Sequence, residues 1–251
     1  MDKSARRRRG RLSIVRDVAI VVVGALLVST LLRVFVVQLF EIPSESMANT
    51  LMVGDRIAVQ KMGGVQRGDI VVFTDELDWL EPEEGKEDEP APNKVLVFLG
   101  LAPDNASEYL VKRVIGVAGD HLVCCDAESR IMINGVSVDA AEYLYTNPIT
   151  GEQDDPSIVK FDVIVPQGGL FVVGDHRADS EDSRYHLCQA PEGDPLGSRA
   201  IVPESAVVGT VAAIVLPLSR FDVIDRPAVF ADLPGPAEPA PVEPIISRTS
   251  C

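Results

Sequence analysis

Residues 109–124 read YLVKRVIGVAGDHLVC. The first eight alternate around a branched apolar core, and Gly119-Asp120 then interrupts them before a second apolar run. Glycine tolerates positive φ and aspartate hydrogen-bonds its own backbone, so the pair marks a turn between two strands. The same punctuation recurs in GDRIAV from Gly54, GDIVVF from Gly68 and LFVVGD ending at Asp175. Outside the N-terminal region no long stretch repeats apolar residues at helical spacing. The expected fold is mainly β, built from antiparallel sheets. Ala206–Leu216 (AVVGTVAAIVL) fits a buried strand and is too short to span a bilayer.

The chain of 251 residues carries a formal charge of −15, unevenly spread. Lys3, Arg6, Arg7, Arg8, Arg9, Arg11 and Arg16 against Asp2 and Asp17 make the first 17 residues +5, which leaves −20 for the remainder. An acidic body excludes a phosphate-binding groove, so no nucleic acid is expected as a partner. The basic start precedes the uncharged run Val18–Leu32, extended past Arg33 by VFVVQLF. Taking in Ile14, Val15 and Val34–Val36 reaches the roughly 20 residues that a membrane helix needs, with Arg16 and Arg33 reaching the interfaces. The polar sequence and small-x-small site of a removable leader do not follow, and the reading is a retained anchor. By the positive-inside rule residues 1–13 face the cytoplasm, 14–36 span the membrane, and residues 37–230 form an extracytoplasmic β domain.

Two segments lie outside this pattern. The acidic, proline-bearing insert at about 75–107 is too charged to bury itself and reads as an exposed loop; Trp79 within it would suit a loop anchor and receives no functional role. The Pro-rich tail, 231–251, reads as disordered or extended. Four cysteines stand at 124, 125, 188 and 251. Outside the cytoplasm a disulfide between Cys188 and one of the adjacent pair is the expectation. The spacing of cysteines and histidines does not suit a metal site.

Two serines separated by one residue, in Glu41-Ile-Pro-Ser-Glu-Ser-Met47, follow the expected anchor. A serine hydroxyl needs a base before it attacks. His176, with Asp175 or Asp179, would complete a Ser-His-Asp triad with Ser46, although residues adjacent in one loop seldom aim at one another. Lys112 is the other base. Strand alternation places it on one face with Leu110 and Val114, and Val111, Arg113 and Ile115 on the other. Desolvation in such an apolar row favours the neutral amine, which accepts a proton. The same lysine would serve equally as an edge residue or an ion-pair partner.

Four ordered stretches, IPSESMANTL (42–51), RGDIVVF (67–73), YLVKRVIGVAGD (109–120) and GDHRADSEDSRY (174–185), resemble the bacterial type I signal peptidases, membrane-anchored proteases with a Ser-Lys dyad. The resemblance implies a mainly β catalytic domain of signal-peptidase type behind one transmembrane helix. It makes Ser46 the nucleophile, Lys112 the general base, and the Ser44 hydroxyl with the Ser46 N–H the oxyanion donors. Ser180 would aim the lysine amine; Asp182 and Arg184 would pair in support, with Arg113 nearby and Asp175 holding the loop. Ile42, Pro43 and Val111 would wall the substrate pocket, Ile42 and Val111 fitting a plain core equally well. Neither metal nor cofactor is required. The implied substrates are secreted preproteins, cut after small-x-small motifs beside membrane lipid. Asn49 stands where the family usually has proline, His176 where asparagine is common, and Ala178 where a polar residue is common. Self-cleaving repressor-type proteases share the chemistry but carry a DNA-binding domain where this chain has its expected anchor. A non-enzymatic, membrane-tethered β domain would have to treat Ser46, Lys112 and Ser180 as accidents.

Overall fold

The computed structural model describes residues 16–18, 20–24, 37–80 and 109–247. Residues 16–18 and 20–24 are helical. No helix among the described residues is long and apolar enough to cross a membrane; the expected anchor, 14–36, lies largely outside them, as does the acidic insert beyond Leu80.

From Leu39 onward the chain forms one compact unit. Its described strands are β1 (Val37–Glu41), β2 (Arg56–Gln60), β3 (Ile70–Thr74), β4 (Tyr109–Gly116), β5 (His121–Cys124), β6 (Ile131–Ile133), β7 (Val136–Ser137), β8 (Phe161–Ile164), β9 (Gly169–Val173), β10 (Val202–Pro203), β11 (Val207–Leu216), β12 (Asp222–Val223) and β13 (Ile245–Ile246). One sheet runs β1-β2-β11-β3-β4-β9-β10 with β12 added to β11, and the other runs β13-β8-β5-β6-β7. The β3–β4, β4–β9 and β5–β8 ladders are antiparallel, in keeping with the expected class.

The centre of the first sheet is buried on both faces, which explains why β3 (IVVFT) and β9 (GLFVV) are nearly unbroken apolar runs. Val71, Phe73, Val114, Leu170 and Val172 pack on one face with Trp79. On the other, Ile70 and Val72 join Ile57, Val59, Met47 and Leu51, while Ile115, Phe171 and Val173 meet Leu122, Ile133, Phe161 and Val163 of the second sheet. β11 pairs with both β2 and β3 and shifts register along each edge. These irregularities bend a ten-residue strand that would otherwise run flat.

Two segments left without a role in the sequence are held by the rest of the domain. Trp79 anchors the start of the insert: its indole N–H donates to Arg199 O at 2.7 Å, and its ring stacks on His186 with centroids 4.7 Å apart. Asp75 holds the approach by accepting from the backbone N–H groups of Leu77, Trp79 and Leu80. The tail over 231–247 is ordered and includes the extended strand β13. It donates β13 to β8, offers Leu233 O to Arg67 and Pro234 O to Asn134, and follows Phe230, which is buried beside Tyr143 at 5.8 Å. Proline prevents such a segment from forming a helix, but its carbonyls remain available, and side chains of the domain supply the donors. Gly68, at φ +89°, lies so close to Phe230 that a Cβ would stand 2.7 Å from the ring.

The predicted disulfide also differs. Cys124 and Cys125 are bonded to each other, and Cys188 is disulfide-bonded elsewhere. Cys124 is the last residue of β5, so the strand alternation that would separate adjacent side chains no longer applies at Cys125.

Phe230→Ala empties an aromatic site in the core and is expected to cost about 3–5 kcal/mol; urea denaturation in detergent measures it, and a change below about 1 kcal/mol would mean that Phe230 is not coupled to the core.

Candidate active site

Ser46 opens the turn 46–50, whose backbone is closed by Ala48 N–H to Glu45 O and Leu51 N–H to Met47 O, both at 2.8 Å. Met47 and Leu51 are buried and hold the turn on the core. At its base Ile42 N–H donates to Asp55 O and Gly54 N–H returns to Ile42 O, both at 2.9 Å. Asn49 takes φ +84°, a left-handed conformation closed to proline and tolerated by asparagine. Ser46 is 9% exposed, and its Oγ lies 3.3 Å from Ser44 Oγ. The two hydroxyls at the centre of EIPSESM are neighbours in space.

Lys112 sits in the middle of β4, opposite Val71 of β3. It shares its face with Leu110 and Val114, whose apolar cluster contains Val71. Only 3% of the residue is exposed. Loss of water around the ammonium brings its pKa down from 10.5 to about 8; Asp182 pulls the other way and Arg184 adds to the lowering.

The segment after β9 joins the two regions. Gly174 leaves no room for a side chain, because a Cβ there would collide with Ser180 Oγ and the Ser46 carbonyl oxygen. The same carbonyl accepts the His176 backbone N–H at 3.1 Å. Asp175, on the other side of the chain, accepts Arg113 Nε at 2.7 Å and Nη2 at 2.6 Å, with both side chains buried. Arg113 Nη1 also donates to Gly68 O at 2.7 Å. Asp182 accepts Arg184 Nε and Nη2 at 2.7 and 2.8 Å, together with Gly174 N–H at 3.0 Å. Burial opposes its ionisation, yet the Arg184 bonds hold this carboxyl below the usual range. Both expected supporting acids are thus paired.

Ser180 donates to Asp182 Oδ2 at 2.7 Å. Among the described residues no hydrogen bond joins Lys112 Nζ to Ser180 or Ser46. A carboxylate is the stronger acceptor for a hydroxyl proton, and it leaves the lone pairs of Ser180 for an amine N–H. His176 is arranged differently from a triad histidine. Its ring packs at a tilt against Tyr145, centroids 3.9 Å apart, each nitrogen is 4.0 Å from a carboxylate, of Asp154 or Asp179, and only its backbone bonds to Ser46. Of the expected pocket walls, Ile42 is buried in the core, Val111 is partly buried against the same cluster, and Pro43 is exposed. Sequence reasoning missed Thr50, whose Oγ1 donates to Asp175 Oδ2 at 2.5 Å. It also missed Arg177, fully buried beneath Gly174 O and facing the Tyr143 ring. Nothing local distinguishes either residue from an ordinary turn residue.

The family model for signal peptidase, peptidase S26, matches residues 15–216. The chain belongs to the signal peptidase family. Signal peptidase I of Mycobacterium tuberculosis is 34% identical over 236 residues, covering 86% of this chain and 78% of that protein. Signal peptidase I of Pseudomonas fluorescens is 31% identical over 210 residues, covering 75% and 68%. A solved signal peptidase I from Enterococcus faecalis V583 is 22% identical, covers 59% of this chain and 97% of that one, and has a TM-score of 0.29. Like other signal peptidases, the chain is a serine peptidase.

The buried lysine has a consequence for stability. Below about pH 8 Lys112 is protonated in both folded and unfolded chains, and the folded state bears the cost of an unsolvated ammonium. Between about 8 and 10.5 the folded protein has released a proton that the unfolded chain retains, so stability rises with pH. At about 1.36 kcal/mol per unit the difference is about 3 kcal/mol. Lys112→Met is therefore expected to stabilise the protein at pH 7 by up to about 3 kcal/mol, with the gain vanishing toward pH 10.5; denaturation midpoints measured across that range would show a constant difference if Lys112 did not titrate.

Proposed function

We propose that Ser46 is the nucleophile and Lys112 the general base with which this signal peptidase removes N-terminal signal peptides from secreted preproteins. The observation that carries the assignment is an amine almost wholly withdrawn from water, with its pKa brought to about 8, within the influence of Asp182, which accepts the Ser180 hydroxyl, while Gly174 packs against both Ser180 and Ser46. Neutral Lys112 takes the Ser46 proton as Oγ attacks the scissile carbonyl. The developing oxyanion is met by the Ser44 hydroxyl and the Ser46 N–H, and the ammonium then protonates the departing amine. Water, activated by the same amine, releases the signal peptide from the acyl-enzyme. Ser180 orients the lysine. Asp182–Arg184 and Arg113–Asp175 hold the framework, so that little reorganisation accompanies the charge movement.

The substrate would lie extended as an added strand, its small residues at the first and third positions before the cut facing the walls formed by Ile42, Pro43 and Val111. No metal or cofactor enters this mechanism. Residues 14–36 would anchor the chain, with 1–13 cytoplasmic and the catalytic domain on the far side near the lipid surface. Support comes from exposed apolar side chains in two neighbouring places. Met52 and Val53 precede Asp55, which is bonded to Arg220 at 2.8 Å, and Leu216, Leu218 and Phe221 surround Arg220. Exposed apolar side chains in the two segments that this ion pair joins suit contact with lipid.

A Ser-His-Asp hydrolase would need the His176 ring at the Ser46 hydroxyl, where its backbone N–H meets the Ser46 carbonyl instead. Lys112→Ala is accordingly expected to lower preprotein cleavage by at least about 10²–10⁴-fold, whereas His176→Ala stays within a few-fold of wild type. The opposite ranking in a purified preprotein assay would restore the triad. Cleavage by wild type should also decline on acidification through about pH 8 as the amine gains its proton; a flat profile between about pH 6 and about pH 9 would contradict Lys112 as base.

A further inference from the structure

The turn that carries Ser46 is tied at both ends to one short segment. At its start the Ser46 carbonyl accepts the His176 N–H at 3.1 Å. At its end the Thr50 hydroxyl donates to Asp175 Oδ2 at 2.5 Å and receives Arg113 Nη2 at 3.4 Å. Thr50 thus enters the buried Arg113–Asp175 pair as a third member, and Arg113 is the residue next to Lys112 in β4. The other restraints on the turn are weaker in direction. Met47 and Leu51 hold it by apolar contact, which fixes depth but not orientation. Asn49 reaches Tyr143 O at 3.3 Å, from a left-handed backbone.

We propose that Thr50 is a positioning residue for signal-peptide cleavage, its hydroxyl locking the orientation of the Ser46 turn to the Arg113–Asp175 pair and hence to the strand that bears Lys112. This rests on Ser46 and Lys112 being the dyad. Ser46 Oγ must approach the scissile carbonyl along a defined line, and a misplacement of about 1 Å costs about 10²-fold in rate. Removing the hydroxyl leaves Arg113 and Asp175 paired with each other, so the framework persists while the turn loses its directional bond. The loss falls on turnover, because Thr50 meets the buried side of the turn and not the substrate.

The test compares wild type, Thr50→Val, Thr50→Ser and Lys112→Ala on a purified preprotein in detergent. Rates are expressed per active site, titrated to completion with a serine-reactive lipopeptide inhibitor, so that unfolded protein does not count. Thr50→Val is expected to lose about 10- to 100-fold in kcat with KM within about two-fold, and Thr50→Ser to recover to within about three-fold of wild type. A Val variant within three-fold of wild type per site, or a Ser variant as impaired as Val, would overturn the proposal. If Val yields no titratable protein, Thr50→Ala, which removes the same hydroxyl without placing a methyl against Asp175, is judged by the same criterion. An active Lys112→Ala would overturn the dyad itself; an inactive one beside an unimpaired Thr50→Val would overturn only the role of Thr50.

Discussion

Arg113 and Asp175 form a two-toothed ion pair with no access to water, and the arrangement of the site depends on it. Arg113 belongs to β4, Asp175 to the exit of β9, and further bonds reach Gly68 before β3 and Thr50 in the Ser46 turn. One pair therefore ties together four segments that are distant in sequence. A buried pair of this kind gains little stability over well-packed apolar residues, because each ion has lost its hydration. It does supply direction, since a guanidinium and a carboxylate meet in a defined plane. Removing either partner would strand the other charge in the core, which makes the pair hard to dismantle.

A second pair, Asp182–Arg184, takes its place beside Lys112 and limits how far burial lowers the lysine pKa. Asp182 favours the ammonium; Arg184, bonded to the same carboxylate, opposes it. Desolvation remains the largest influence, and an amine near 8 is poised to accept and return a proton close to neutral pH. The same desolvation weakens the folded state at pH 7. In the proposed mechanism this loss of stability is inherent in a base that works without histidine, and the packed sheet around Lys112 must offset it.

Much of this was legible from local patterns. The Gly-Asp turns and apolar runs announced antiparallel strands, and Ala206–Leu216 anticipated β11, because the side-chain period of a strand is written directly into its residues. Four ordered motifs pointed to the candidate residues of the site, whereas the pairing of Arg113 with Asp175 is written in none of them. What local patterns left open shares a cause. Trp79 reads as part of an acidic loop and residues 231–247 as a proline-rich tail, yet both are held by partners remote in sequence: Arg199 and His186 for the tryptophan, Arg67, Asn134 and β8 for the tail. The cysteines differ for another reason: Cys124 and Cys125, adjacent in sequence, are bonded to each other where β5 ends.

Sequence alone determined the strand character of the chain, its family, and the chemical groups available: two serines in a short turn, a lysine in an apolar strand, and acids beside arginines. These are properties of residue type and short-range order. Tertiary structure decided which groups share a space. It placed the His176 backbone rather than its ring against Ser46, turned Ser180 toward Asp182, set Asn49 in a conformation closed to proline, and drew Thr50 into a buried ion pair. Such choices depend on the crossing of β4 with the exit of β9 and on the exclusion of water there, and neither is encoded within any single stretch of residues.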